Sequence, residues 1–204
     1  GRFGSVKRFK NELAAELCAV IAFSAIKNND KVGLLVFTDD IELYVPPDKG
    51  RRHVLRVIRE VLFFKPKGRG TNIPKALHYL NQVQKRRAVA FMVSDFMADD
   101  YELPLRIANK RHDIIATVVS DPREETLPDV GMISVRDAET GREGLVDTSD
   151  RAVRAAYADA AKVRAAKREE IFRRTKVDAI RVRTDGSYID ELYRFFRMRE
   201  RRFA

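Results

Sequence analysis

Two short segments of this 204-residue chain offer oxygen donors where an α/β protein could use them. Gly68-Arg69-Gly70-Thr71 precedes a helical stretch, and Ser94-Asp95 closes the most apolar run in the chain, RAVAFMVSDF at residues 87–96. In an open parallel sheet, ligands bind at the carboxyl ends of the strands, where neighbouring loops converge. A threonine hydroxyl and an aspartate carboxylate are hard donors. They suit Mg²⁺ or another hard divalent cation, and not zinc, which takes Cys and His. The same residues also serve as ordinary punctuation, Thr71 capping the helix that follows and Asp95 capping a turn at a strand end. On composition alone, capping is the more ordinary role, and the spacing leaves both readings open.

Other residue types point to less. The Gly68–Thr71 loop is glycine-rich and basic but lacks the Gly-Lys-Ser/Thr run of a phosphate-binding loop. His53, His78 and His112 are isolated and read as structural. Cys18 sits in an apolar stretch with no base beside it and reads as core. As the only cysteine it excludes an intrachain disulfide, which fits a reduced intracellular protein. No nucleophile elbow, His-Glu zinc motif or spaced acid–base pair appears, so the chain reads as a non-enzyme. A metal-dependent hydrolase should show several strand-end aspartates. Only Asp95 and Asp121 qualify, and that reading ranks last.

The elements that must position these residues alternate regularly. Residues 6–27 read as a helix with a stripe of Phe9, Leu13, Leu17, Val20 and Ile21, its second half apolar nearly all round and therefore covered on several sides. KVGLLVFT (31–38) reads as a strand buried on both faces, and IELYVPP (41–47) as the half-exposed partner of a hairpin, with its two prolines at an edge. Helices follow at 49–64 and 72–84, a strand at 87–96, a helix at 101–110 and a strand at 112–121. Such alternation specifies an α/β fold with a mostly parallel sheet and helices on both faces. Residues 121–131 read as a loop and 131–148 as a hairpin. Then come a helix at 150–174, a strand at 177–185 and a helix at 187–202 with Ile189, Leu192, Tyr193 and Phe196 facing inward. No repeat or linker divides the chain, so residues 1–204 read as one domain: a core at 1–130 and a C-terminal extension at 131–204.

The formal net charge is +10. Residues 151–204 hold 16 Lys/Arg against 8 Asp/Glu, and the remainder, 24 against 22, is nearly neutral. The basicity therefore belongs to the C-terminal helices. It suits an acidic partner, an anionic membrane surface or nucleic acid, or simply a solvated face. Tyr193, Phe195 and Phe196 among Arg194, Arg197 and Arg199 make a nucleic-acid-binding protein the alternative reading of function. No apolar run reaches the length of a membrane span, and no signal peptide is visible.

The run from KRFKNELAAELCAV through VPPDKGRRHVLRVIREVL, then GTNIPKAL, VSDF and RHDIIATVVSDPREETLPDVG, closely resembles the domain of unknown function 58 family. This bacterial group carries a von Willebrand factor A-like domain, a three-layer, Rossmann-like α/β fold. The resemblance implies a metal-ion-dependent adhesion site (MIDAS) built from an Asp-x-Ser-x-Ser loop, a Thr matched by Thr71 and an Asp matched by Asp95. In the family that first loop lies just before Phe-Gly, here Phe3-Gly4. The expectation is therefore that the chain lacks the loop and the first, central strand, and that Mg²⁺ binding in it is weak or absent. The resemblance further implies a protein–protein interaction module acting with a MoxR-type AAA+ ATPase to assemble or activate other proteins. It implies a cytoplasmic domain, with membrane association in the full-length protein only through upstream segments, and nucleic acid is not the expected partner.

Overall fold

The computed structural model describes residues 9–68, 70–136 and 143–203. Helix α1 (Lys10–Lys27) starts where Glu12 reaches back to accept the Phe9 N–H, and it ends at Asn28 and Asn29, the latter in the left-handed region at φ 53°. Strands β1 (Val32–Phe37) and β2 (Ile41–Asp48) form an antiparallel hairpin closed by a Thr38 N–H to Asp40 C=O bond of 2.8 Å. Helix α2 (Arg51–Phe63) follows, then α3 (Ile73–Val83), whose N-cap is Asn72. Next come β3 (Val89–Ser94), α4 (Glu102–Arg111), β4 (Asp113–Ser120) and the single turn α5 (Pro122–Glu125). A second hairpin, β5 (Met132–Arg136) and β6 (Glu143–Asp147), precedes the long α6 (Arg151–Thr175), β7 (Asp178–Arg183) and α7 (Tyr188–Phe203).

Strands β3, β4 and β7 run parallel in that order, with β4 at the centre, pairing Met92 with Ala116 and Thr117 with Ile180. Side chains of β4 alternate between two buried faces. Ile115 and Val119, with Ile180 and Val182 of β7, meet Leu13 and Leu17 of α1 and Leu192 and Phe195 of α7. Ile114, Ala116 and Val118 point the other way, onto Ile73, Leu77, Leu105, Ala108 and Phe172 from α3, α4 and α6. Continuous apolar runs in β4 are thus explained by burial on both sides. A third cluster seats Ala22 of α1 and Val54 and Val57 of α2 on the first hairpin around Val45. The protein is a mixed α/β fold in which helices cover both faces of a parallel sheet.

Four expectations are revised. The expected mostly parallel sheet is divided: the parallel part has three strands, and β1–β2 and β5–β6 are separate antiparallel pairs. Among the described residues β1 pairs only with β2 and β3 only with β4. In keeping with one open edge, β3 is no more than half-buried along its length, whereas β4 is buried from Ile114 to Val119. The inward stripe of α7 keeps only Leu192 of the four expected residues and takes in Phe195 instead of the others. Leu192 and Phe195, each 6% exposed, face the sheet, while Ile189 and Tyr193 are exposed at 62% and 64% and Phe196 only partly covers Phe91. The second half of α1 is covered only in part, through Ile21 on the sheet and Ala22 and Ile26 on the hairpin, leaving Val20 and Phe23 in solvent. Residues 122–125 of the expected loop form a helical turn because Asp121 caps it: Asp121 Oδ1 accepts the Arg123 N–H while Glu124 accepts the Asp121 N–H. The tip of the second hairpin, 137–142, lies outside the described residues. No described helix is long and apolar enough to cross a membrane.

Candidate functional site at the carboxyl edge of the sheet

β3 ends at Ser94, and the chain turns sharply. Ser94 Oγ accepts the Phe96 N–H at 3.1 Å, and Asp95 Oδ1 accepts the Met97 N–H at 3.2 Å. Phe96 itself sits at φ 56°, a conformation that bulky side chains adopt only when their surroundings hold them there. What holds it is its ring, buried against Phe172 at 5.1 Å and Tyr101 at 5.8 Å. The aromatic contact fixes the turn, and the turn presents Asp95 at the strand end.

The second oxygen of Asp95 is engaged from the first turn of α1. Lys10 Nζ lies 2.8 Å from Asp95 Oδ2 and 2.6 Å from Glu124 Oε1, so one ammonium bridges β3, α5 and α1. Burial disfavours that ammonium, but the two carboxylates more than offset it, and the Lys10 pKa is raised. Behind α5, the fully buried Asp121 at the end of β4 accepts from Thr184 Oγ1 at 2.5 Å, tying in the end of β7. Three neighbouring strand ends are thereby joined by polar contacts.

Thr71 stands beside the end of β1, where the Asn72 N–H donates to Thr38 C=O at 2.7 Å. The helix cap is Asn72, whose Oδ1 accepts the Lys75 N–H, so capping does not use the Thr71 hydroxyl, which is exposed. Asp95, by contrast, does cap a turn. The loop before Thr71 is pinned by Glu42, which accepts from Thr38 Oγ1 at 2.6 Å and from the N–H groups of Lys67 and Gly68. The Thr38 hydroxyl and those two backbone donors, in that order, hold the Glu42 carboxyl below the usual carboxylate range. Glycine at position 68 suits this close approach, since a Cβ would overlap Asp39 Oδ1 and Thr38 Oγ1 and force those side chains to move. Lys10, Glu42 and Glu124 had no signal in the sequence; each works through a partner distant in the chain.

As a cation site these residues are incomplete. Among the described residues no three His, Cys, Asp or Glu side chains are grouped to hold a metal, and no hydrogen bond or ion pair joins Thr71 to Asp95. One exposed hydroxyl and a carboxylate whose oxygens already take Lys10 and Met97 N–H do not by themselves fit a divalent ion, which needs near-octahedral oxygens. The remaining candidates are structural. His53 Nε2 lies 2.7 Å from Val32 C=O, bonding α2 to β1, and His78 meets Gln82 on the exposed face of α3. His112 is fully buried, and burial, then Arg111, depresses its pKa. Burial pushes the Cys18 thiol up to about 11, far from a reactive thiolate.

The comparisons with known proteins agree with this architecture. A solved structure of conserved hypothetical protein BatB from Bacteroides thetaiotaomicron superposes with a TM-score of 0.59, covering 95% of this chain and 89% of that one at 18% identity. At that identity the likeness is one of fold. Uncharacterized protein Rv1480 of Mycobacterium tuberculosis (strain ATCC 25618 / H37Rv) is 30% identical over 204 residues, 98% of this chain and 63% of its own length. Uncharacterized protein MAV169 of Mycobacterium avium is 32% identical over 165 residues, 77% of this chain and 94% of its own. The chain thus spans about 63% of the longer curated relatives it matches. The model of the family described as "Protein of unknown function DUF58" matches residues 1–167, and the chain belongs to that family.

Proposed function

We propose that this chain is the larger part of a von Willebrand factor A-like protein-interaction module that meets its partner at the carboxyl edge of the parallel sheet. The observation that carries the reading is the turn after β3, where Phe96 is held at positive φ so that Asp95 stands at the strand end. Strained backbone maintained by surrounding packing concentrates at sites that bind. Thr71, exposed and free of capping duty, stands at the end of β1. In this reading Mg²⁺ is held only when oxygen donors from outside the described residues join Thr71 and Asp95. The same outside segment would supply a strand to the edges of β1 and β3 that are unpaired among the described residues, and the greater length of the relatives leaves room for it. The resemblance adds a MoxR-type AAA+ ATPase as the partner, by analogy of family and not from the site.

The test is thermal melting of this chain and of a version extended upstream, each with and without Mg²⁺. A cation that binds only the folded state raises its melting temperature by mass action. The extended protein should gain stability, Thr71→Ala and Asp95→Ala should each remove most of the gain, and this chain should show little. Melting of the extended protein that is indifferent to Mg²⁺ would overturn the cation part of the proposal. A salt-dependent shift with single-stranded or duplex DNA would instead favour the basic helices as a nucleic-acid surface.

A further inference from the structure

Residues 49–67 hold 7 Lys/Arg against 1 Asp/Glu, so the near-neutral balance of the first 150 residues conceals a local excess of +6. Most of it sits on α2, and α2 is held in one rotation. Val54 and Val57 are buried with Val45 and Ala22, and His53 Nε2 lies 2.7 Å from Val32 C=O. Two adjacent stripes are left facing outward. Arg52, Arg56, Arg59 and Phe63 recur at spacings of four, three and four, and Arg51, Leu55 and Leu62 run beside them. Leu55, Leu62 and Phe63 are 46%, 49% and 77% exposed. Glu60 meets Arg59 at 3.4 Å, Glu42 accepts the Lys67 N–H, and Asp48 accepts the Lys49 N–H. Arg51, Arg52, Arg56 and Lys65 form no ion pair among the described residues.

We propose that this face of α2 lies on an anionic phospholipid surface, its arginines and Lys65 on lipid phosphates and Leu55, Leu62 and Phe63 in the acyl boundary beneath them. Helices that lie in the interface combine Lys/Arg with Leu and Phe, and each basic group held at an anionic leaflet strengthens binding about fivefold. Arginine stems are long enough to keep the charged head among the headgroups while apolar neighbours go deeper. Charge alone would also suit nucleic acid or an acidic protein. The apolar residues decide. Bases stack on aromatic rings, which would leave the two leucines in water. A protein groove takes a contiguous apolar helix face, and that face of α2 is already buried on the hairpin. Leucines and a phenylalanine scattered among arginines suit a fluid surface, which needs no matching shape. The contact lies on the membrane without spanning it, in keeping with the lengths of the described helices. It uses neither Thr71 nor Asp95 and stands whether or not the cation site forms.

Co-sedimentation with sucrose-loaded vesicles tests it, using phosphatidylcholine alone and phosphatidylcholine with about one-third phosphatidylserine, at about 0.1 M salt with EDTA. This chain should bind the anionic vesicles saturably and at least about tenfold more tightly than the neutral ones. Arg52→Gln with Arg56→Gln, both at exposed positions, should weaken binding at least about tenfold. Phe63→Ser should weaken it about threefold or more, which charge alone would not produce. Arg197→Gln with Arg201→Gln on α7, where Asp190, Glu191 and Glu200 interleave with the arginines, should change it less than about twofold. Equal affinity for neutral vesicles, no sedimentation with anionic ones, indifference to either α2 change, or an equal loss from the α7 change would each overturn the proposal. An oligonucleotide, single-stranded or duplex, bound through Arg52 and Arg56 while the anionic vesicles are not bound would overturn it in favour of nucleic acid. Because EDTA is present, failure here is separate from failure of the Mg²⁺ test.

Discussion

Replacing Lys10 with methionine removes an ammonium shared by two carboxylates while keeping most of the aliphatic stem. The side chains of Lys10, Asp95 and Glu124 are 16%, 31% and 15% exposed, so the pairing lies between the surface and the interior. Removing one partner of a fully buried pair costs about 3–5 kcal/mol, and an exposed pair contributes about 0–1 kcal/mol. Asp95 is open enough to recover water, and Glu124 keeps the Asp121 N–H, so the lower half of the buried range is the upper bound here. The expected loss is about 2 kcal/mol. For a chain of this length that lowers the melting temperature by about 4–8 °C. Calorimetry and urea unfolding of Lys10→Met and the parent at pH 7 measure it. The pH dependence checks the cause. Because the Lys10 pKa is raised in the folded state, its contribution is complete below the unfolded value near 10.5 and disappears as pH rises through the folded value above it. The gap between the two proteins should be constant from pH 7 to 9 and close at higher pH. A loss below about 0.5 kcal/mol, or a gap that persists above the folded pKa, would refute the bridging role.

Three further outcomes follow from the packing. His112 is held neutral by burial, so stability should be complete above pH about 6.5 and fall as pH drops toward its depressed folded value; His112→Gln should flatten that part of a melting-temperature profile. Gly68→Ala should destabilise by about 1–3 kcal/mol, as overpacking does, in chemical denaturation, whereas Gly144→Ala, with open space around it, should cost far less. Asn72→Ala should cost about 1 kcal/mol by loss of the α3 cap, while Thr71→Ala should leave the stability of this chain within about 0.5 kcal/mol.

Much of the fold was legible because burial on two faces writes itself as an uninterrupted apolar run, as in β4, and because a helix with one covered face shows its period, as in α2. The phase of α7 was not. Tyr188, Leu192 and Phe195 form one apolar stripe, and Ile189, Tyr193 and Phe196 form another one residue away, so periodicity alone permits both. The buried stripe is the one that packs on the sheet, and on its side Arg199, one turn beyond Phe195, reaches Asp113 at 2.8 Å and Asp178 at 3.4 Å at the amino ends of β4 and β7. The site divides the same way. Asp95 could be found from its place after a strand, and Asn72 rather than Thr71 as a cap only from coordinates. Lys10 and Glu124 are 114 positions apart, and Glu42 and Gly68 are 26 apart, separations at which local pattern carries no information.

The hairpin and the parallel sheet share no backbone ladder among the described residues, yet α1 belongs to both. Its first half, through Leu13 and Leu17, is packed on β4 and β7, and its second half, through Ala22 and Ile26, on the hairpin. Mechanically the helix is a connecting rod. A slip of α1 by one turn, about 5.4 Å, would pull Lys10 off Asp95 at one end and drag the hairpin at the other. The Lys10 ion pairs and the position of β1–β2 are thus tied to one rigid element.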